Sequence, residues 1–307
     1  MYRIHISAVL FLFLLAGAAG ADELATVWKE GGPSNSRMIV ESGRLVPAGL
    51  NRAGIQIRMA PGWWTYWRAP GTSGIPPQFD WSGSKNLAGT PELIWPVPVR
   101  AVAYGESLNL YRDEIVFPVA FKAANPREPV ILKLRLTYGI CKNMCVPATV
   151  EHEISVGPTG RPAQVSSPNA RLIAAYSVRQ PSADPFSTGF EIREVWETSS
   201  VRRASLGLRI EGLRPARKPL VLVEGPGVFQ ASEITPLPAN DEQQSTLIVP
   251  LGKATDLRRL TGKRIRITII DGARALEQVW VVGTQSSSAV GVGLTPVSTG
   301  PGESPQP

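Results

Sequence analysis

The clearest pattern of apolar and polar positions runs from Val130 to Val156, VILKLRLTYGICKNMCVPATVEHEISV. Leu132, Leu134, Leu136 and Tyr138 alternate with Lys133, Arg135 and Thr137, the period-2 pattern of a strand with one buried face. Val146, Ala148, Val150, Ile154 and Val156 then alternate with Thr149, Glu151, Glu153 and Ser155. Folded about Asn143, the two runs place Leu136 opposite Val150 and Tyr138 opposite Ala148 on the apolar side. On the wet side Lys133 meets Glu153, Arg135 meets Glu151 and Thr137 meets Thr149, pairs worth roughly 0.2–1 kcal/mol each in an antiparallel ladder. The same register sets Cys141 directly opposite Cys145 across the loop Lys142-Asn143-Met144. A loop this short calls for a residue in the left-handed region, and Asn143 is the one predicted to take it.

Further strands are predicted over Met38–Val40, Leu45–Ala48 and Ala53–Met59, and over the aromatic run that follows Pro61-Gly62. The segment Gly74-Ile75-Pro76-Pro77, with Phe79 and Trp81, is too rich in proline for a central strand. Leu93 and Trp95 suggest an edge strand, Tyr104-Gly105-Glu106 a loop, and Ile115–Phe121 another strand. Past residue 157 the chain turns Gly-, Pro- and Ser-rich. Ser167-Pro168 then opens a short helix over Asn169–Val178, with Pro in its first turn. Seven strand signals follow: Phe190–Trp196, Ala204–Ile210, Leu220–Glu224, Val228–Glu233, Thr246–Leu251, Ile265–Ile270 and Leu276–Val282. Short strands, frequent turns and few helical stretches predict an all-β protein of two immunoglobulin-like sandwiches, joined by a linker with a short helix. The expected divisions are 35–157 for the first sandwich, 158–185 for the linker, 186–283 for the second sandwich and 284–307 for a disordered tail.

Composition narrows what such a protein can do. Arg3, the apolar run Ile6–Leu15 and the small residues Ala19-Gly20-Ala21 predict a signal peptide over 1–21. The apolar run is short for a membrane span. The chain is therefore expected to be exported to the periplasm and not to span the membrane after cleavage, in a compartment where disulfides persist. The formal net charge is +7, without a basic cluster, so nucleic acid is not an expected partner. The chain has two histidines, of which His5 lies in the expected signal peptide and His152 faces Leu134 on the apolar side of the hairpin. Ser-His or Cys-His catalysis is thus poorly supplied, a four-ligand zinc site lacks donors, and no cofactor is expected.

What remains is Cys141 and Cys145, the only cysteines. Directly opposed strand residues have Cα atoms about 4.5–5.5 Å apart, the short end of what a disulfide accepts. Such a bond is expected to be strained and readily exchanged, and it closes too short a loop to restrain the unfolded chain much. The spacing leaves a redox pair and a structural bond both open. Lys142 is placed to lower a thiolate pKa, and Met144 completes a soft Cys141/Met144/Cys145 set suited to Cu(I). A third reading is an adaptor whose disulfide is inert, with a reduction potential below about −300 mV. Trp63, Trp64, Tyr66, Trp67, Trp81 and Trp95 form an aromatic-rich stretch. In the strand, Trp64 and Tyr66 share one face and Trp63, Thr65 and Trp67 the other, so one face can serve the core and the other a site.

Tyr104-Gly105-Glu106-Ser107, Tyr111-Arg112-Asp113, Phe117-Pro118-Val119 and Leu136-Thr137-Tyr138-Gly139-Ile140-Cys141 to Cys145-Val146-Pro147-Ala148 resemble the N-terminal periplasmic domain of the thiol:disulfide interchange protein DsbD. Gly62-Trp63-Trp64-Thr65-Tyr66 is similar to an aromatic strand of that domain. The resemblance implies an immunoglobulin-like sandwich and a redox role for Cys141 and Cys145, with Cys145 the sulfur joined to partners and Trp64 and Tyr66 lining the site. It implies as partners a membrane thiol relay or periplasmic thioredoxin-like proteins, and a protein-disulfide reductase component as activity. Stand-alone chains of this kind are similar to DsbD-like proteins linked to copper tolerance and cytochrome c maturation. The chain departs from the family in two places. Its cysteines are closer in sequence, and Ala101-Val102-Ala103 stands where the family has an acidic dipeptide and a shielding Phe. Tyr104 and Glu106 are the neighbouring polar groups that could replace the missing carboxylate.

Overall fold

The computed structural model describes residues 24–46, 49–71, 73–103, 105–160, 167–200, 203–213, 219–225, 228–229, 235–237, 244–251, 263–282 and 294–297. The expected signal peptide lies outside them. The first sandwich comprises β1 (Lys29–Glu30), β2 (Ser34–Val40), β3 (Asn51–Met59), β4 (Trp64–Gly71), β5 (Gln78–Asp80), β6 (Glu92–Leu93), β7 (Val99–Ala103), β8 (Glu106–Arg112), β9 (Glu114–Phe121), β10 (Val130–Cys141) and β11 (Cys145–Val156). One sheet runs β1-β2-β3-β9-β6; the other runs β11-β10-β4-β8-β7, with β5 added on β10.

The β10–β11 ladder has the register read from the alternation, including Leu134 opposite His152 and Cys141 opposite Cys145. On its wet face Lys133 and Glu153 are 3.6 Å apart, Arg135 and Glu151 3.7 Å, and the Thr137 and Thr149 hydroxyls 3.2 Å. Exposed pairs of this kind contribute at most about 1 kcal/mol each. The inward set decides the register: Leu132, Leu134, Leu136, Tyr138 and Ile140 are fully buried. They meet Ile55, Ile57, Ile115 and Phe117 of the facing sheet in one core. Phe117 anchors it, with Phe79, Trp95 and Tyr111 packed edge-on at centroid distances of 5.1–5.5 Å.

β10 is shared by two strands on its other side. It pairs with β4 at Cys141↔Trp64 and with β5 at Arg135, Leu136 and Thr137. Between them the Gly139 amide donates to the Ile75 carbonyl at 3.1 Å. A Cβ at Gly139 would lie 2.8 Å from that of Ile75, so the close approach requires glycine here.

Helix α1 (Pro168–Ser177) begins where the proline placed it, with the Ser167 hydroxyl accepting from the Ala170 amide. It is more than a linker element. Ala170, Ile173 and Tyr176 form its buried face, and Ile173 and Tyr176 join the first core against β9. A second short helix, α2 (Pro185–Thr188), is capped by Asp184. The second sandwich follows, with sheets β12-β13-β17-β16 and β15-β14-β18-β19-β20. Its strands are β12 (Glu191–Ser200), β13 (Arg203–Glu211), β14 (Leu220–Gly225), β15 (Val228–Phe229), β16 (Thr235–Leu237), β17 (Gln244–Pro250), β18 (Arg264–Asp271), β19 (Arg274–Val282) and β20 (Leu294–Val297). Leu206, Leu208, Ile210, Val221, Val223, Ile265, Ile267 and Ile269 build its separate core. On the opposite face of β14 and β18, Leu220, Leu222 and Ile270 pack against the first sandwich.

Several expectations are corrected. Leu45 and Val46 form no strand; Leu45 donates to the Gly157 carbonyl, Arg44 makes a lone bridge with Gly157, and residues 47–48 lie outside the described set. The stretch expected to be an open loop lies in a hairpin, with Ala103 of β7 paired to Glu106 of β8 and Gly105 in the turn. Asn143 does not take positive φ, which among the described non-glycine residues occurs at Asn86 and Asp113. The tip closes instead through the Lys142 amide donating to the Met144 carbonyl at 3.1 Å, beneath the disulfide. The region expected to be a disordered tail contributes β20, which extends the ladder of β19.

His152 is a core residue. It is 2% exposed, its Nε2 lies 2.9 Å from the Ser36 hydroxyl and its Nδ1 3.2 Å from that of Thr26. Burial, helped by the charge of Lys29, lowers its pKa from 6.5 to about 4. The unfolded chain therefore takes up this proton first as pH falls. The stability tied to neutral His152 is fully present above pH 6.5 and is lost on the way to pH 4. Urea unfolding at pH 7.5 and at pH 4.5 should show a loss on the order of 1–3 kcal/mol from this group. His152→Gln should remove that share of the pH dependence.

Candidate functional site

Cys141 and Cys145 are joined as a disulfide at the tip of the β10–β11 hairpin, with Cα atoms 4.1 Å apart. The two sulfurs have different surroundings. Even-numbered residues of β10 face the main core, so Cys141 points to the opposite face of the sheet. There it packs with Trp64 and Tyr66 of β4 and Leu108 and Leu110 of β8 in a small apolar cluster, and is 1% exposed. Cys145 lies on β11, an edge strand among the described residues, and is exposed.

The aromatic strand divides as its alternation predicted. Trp67 belongs to the main core and Trp63 packs against it, whereas Trp64 and Tyr66 face the cysteines. The Tyr66 hydroxyl donates to Cys145 Sγ at 3.4 Å. The Arg112 guanidinium sits 5.6 Å from the Trp64 ring centroid. A loop segment laps over Tyr66 from the other side. Gly74, at φ +132°, lies so close that an added Cβ would fall 2.6–2.8 Å from ring carbons of Tyr66.

The remaining candidates are placed less directly. Glu106 sits at the β7–β8 turn and accepts a hydrogen bond from the Ser73 hydroxyl, so it steadies the segment beside Tyr66. Tyr104 lies outside the described residues. Met144 is 69% exposed at the tip. The Lys142 side chain runs along Gly62. Ala101 and Ala103 pack on the small cluster with a methyl group each, while Val102 between them is 75% exposed. Among the described residues no group of three or more His, Cys, Asp or Glu could hold a metal ion. The Cys141/Met144/Cys145 set would be available to Cu(I) only with the disulfide reduced. The sequence reading missed Leu108 and Leu110, although Ser107-Leu108-Asn109-Leu110 alternates; Gly105 masked the hairpin as a loop.

Residues 39–155 match the family model described as "Thiol:disulfide interchange protein DsbD, N-terminal". This match is confined to the first sandwich. The fold extends further: the N-terminal periplasmic domain of ScsB from Proteus mirabilis aligns over 83% of this chain and 96% of its own, with a TM-score of 0.60 at 18% identity. The shared architecture therefore includes much of the second sandwich. The reduced DsbD N-terminal domain of Neisseria meningitidis aligns over 36% of this chain and 82% of its own, at 24% identity and a TM-score of 0.22. No curated protein matches the sequence significantly. Among the described residues no helix is long and apolar enough to cross a membrane.

The Gly74 contact is open to direct test. Gly74→Ala should cost about 1–3 kcal/mol in denaturant unfolding, because the new methyl collides with the Tyr66 ring and the backbone angle is unfavourable.

Proposed function

We propose that this chain is a periplasmic thiol–disulfide exchange module in which Cys145 is the sulfur joined to partners and Cys141 the one that opens and recloses the pair. The asymmetry of the pair carries the reading. Cys145 is exposed at a strand edge, and Cys141 is enclosed by Trp64, Tyr66, Leu108 and Leu110. Exchange requires a thiolate to approach one sulfur in line with the bond, and only Cys145 offers that approach.

In the accepting direction, a donor thiolate attacks Cys145 Sγ and Cys141 leaves as a thiolate, giving a mixed disulfide. The donor's second thiolate then attacks its own sulfur in that bond and releases Cys145. Two electrons have moved, the donor is oxidised and both cysteines are reduced. In the giving direction the Cys145 thiolate attacks a partner's disulfide and Cys141 resolves the mixed disulfide, restoring the internal bond. The partners are thioredoxin-like proteins or a membrane thiol relay, in keeping with the DsbD match of the first sandwich. Tyr66 serves the step by donating its hydroxyl hydrogen to Cys145, which favours the thiolate.

Trapping distinguishes the two sulfurs. Cys141→Ala should accumulate a mixed disulfide through Cys145 when mixed with the disulfide form of a thioredoxin-like protein, and Cys145→Ala should accumulate little, as read on non-reducing gels with mass mapping. Equal trapping by both variants, or none by either, would sink the proposal. A reduction potential below about −300 mV would instead mark the bond as structural.

Tyr66→Phe tests the hydrogen bond. Such bonds to a charged acceptor contribute about 1.5–3 kcal/mol, and sulfur accepts weakly, so the Cys145 thiol should rise by about one pKa unit. The pH dependence of iodoacetamide alkylation measures it.

A further inference from the structure

β4 brings Trp64 and Tyr66 to the disulfide, yet the sheet holds this strand loosely. It pairs with β10 at one position, Cys141↔Trp64. It stays in register with β8 from Trp64 to Tyr66, shifts, and pairs again at Gly71↔Leu108. The Asn109 amide reaches across the gap to the Ala69 carbonyl at 2.9 Å. In that gap Arg68 is bound by the second sandwich. Its Nε and Nη2 donate to the two carboxylate oxygens of Glu224, each at 2.8 Å, and Nη2 also donates to Glu277. Glu277 in turn accepts from the Thr268 hydroxyl at 3.0 Å and pairs with Arg266 at 3.2 Å.

The side chains of Arg68, Glu224 and Glu277 are 15%, 16% and 21% exposed, so these charges are largely withdrawn from water. Burial works against the charged guanidinium, but Glu277 and Glu224 outweigh it and hold Arg68 protonated. A bidentate pair shielded in this way fixes direction as well as distance. The Arg68 guanidinium also lies 4.2 Å from the Trp67 ring centroid, which ties the pair to the first core.

We propose that Arg68 is a positioning residue through which the second sandwich holds β4, and with it the Tyr66 hydroxyl, against Cys145. The two residues are close neighbours on one strand, and Tyr66 is the last residue before the ladder with β8 shifts. The second sandwich, which has no cysteine, thereby sets the thiolate stability of a site it does not contain. The consequence for exchange rests on the reading of Cys145 as the exchanging sulfur.

The test is the Cys145 thiol pKa, read by alkylation of the full chain carrying Cys141→Ala. Glu224→Gln with Glu277→Gln should raise that pKa by half a unit or more, toward the value of Tyr66→Phe. In a Tyr66→Phe background the same pair of changes should give no rise. Removal of two negative charges lowers a thiol pKa through the field alone, so a rise reports the loss of the hydrogen bond. Because the double change leaves the guanidinium unpaired, Arg68→Met with both Gln substitutions is measured alongside and should give the same rise. An unchanged or lowered pKa, or a rise fully additive with Tyr66→Phe, overturns the proposal. The titration needs no partner, so its outcome is independent of whether mixed disulfides are trapped.

Discussion

A slip of one residue between β10 and β11 would turn Leu132, Leu134, Leu136 and Tyr138 out of the core and part Cys141 from Cys145. The period of a strand is two, so no intermediate arrangement exists. Inward burial is what forbids the slip; the ion pairs on the wet face agree with it but are too weak to impose it. The disulfide is thus a consequence of the ladder and contributes little to forming it. A site of this kind can open and close chemically while the strands that carry it stay paired.

The other requirement is two environments at one bond. The core-facing parity of β10 sends Cys141 to the far face of its sheet, where Trp64, Tyr66, Leu108 and Leu110 enclose it. The edge position of β11 leaves Cys145 uncovered. One sulfur is therefore reachable and the other protected, although the two are joined. The alanines of β7 line the small cluster around Cys141 with their methyl groups.

The same strand alternation links the site to the rest of the molecule. β4 gives Trp67 to the main core, Trp64 and Tyr66 to the cysteines and Arg68 to the second sandwich. Its backbone has few ladder bonds of its own between Tyr66 and Gly71. The charged contacts of Arg68 fill that gap, and they make the second sandwich part of the scaffold around the disulfide. α1 belongs to this scaffold too, as its Ile173 and Tyr176 are buried in the first core rather than left along a linker.

Much of this was legible in the chain. Alternation gave the β10–β11 register to the residue, the opposed cysteines, and the division of the aromatic strand into a core face and a site face. Ser167-Pro168 marked the start of α1. These are local features, and period and capping chemistry act over a few residues. The β7–β8 hairpin was hidden because Gly105 and the polar residues around it carry the same signal as a loop. The non-helical tip at Asn143 was misread because a disulfide and a single backbone hydrogen bond close it without a left-handed residue. The sequence by itself determined that two sulfurs face each other across a hairpin. Only the tertiary structure decided which sulfur is exposed, that the Tyr66 hydroxyl reaches Cys145, and that Arg68 joins two carboxylates from the other sandwich. Those facts depend on which strands become neighbours and which stay at an edge, and no periodicity within one strand encodes that.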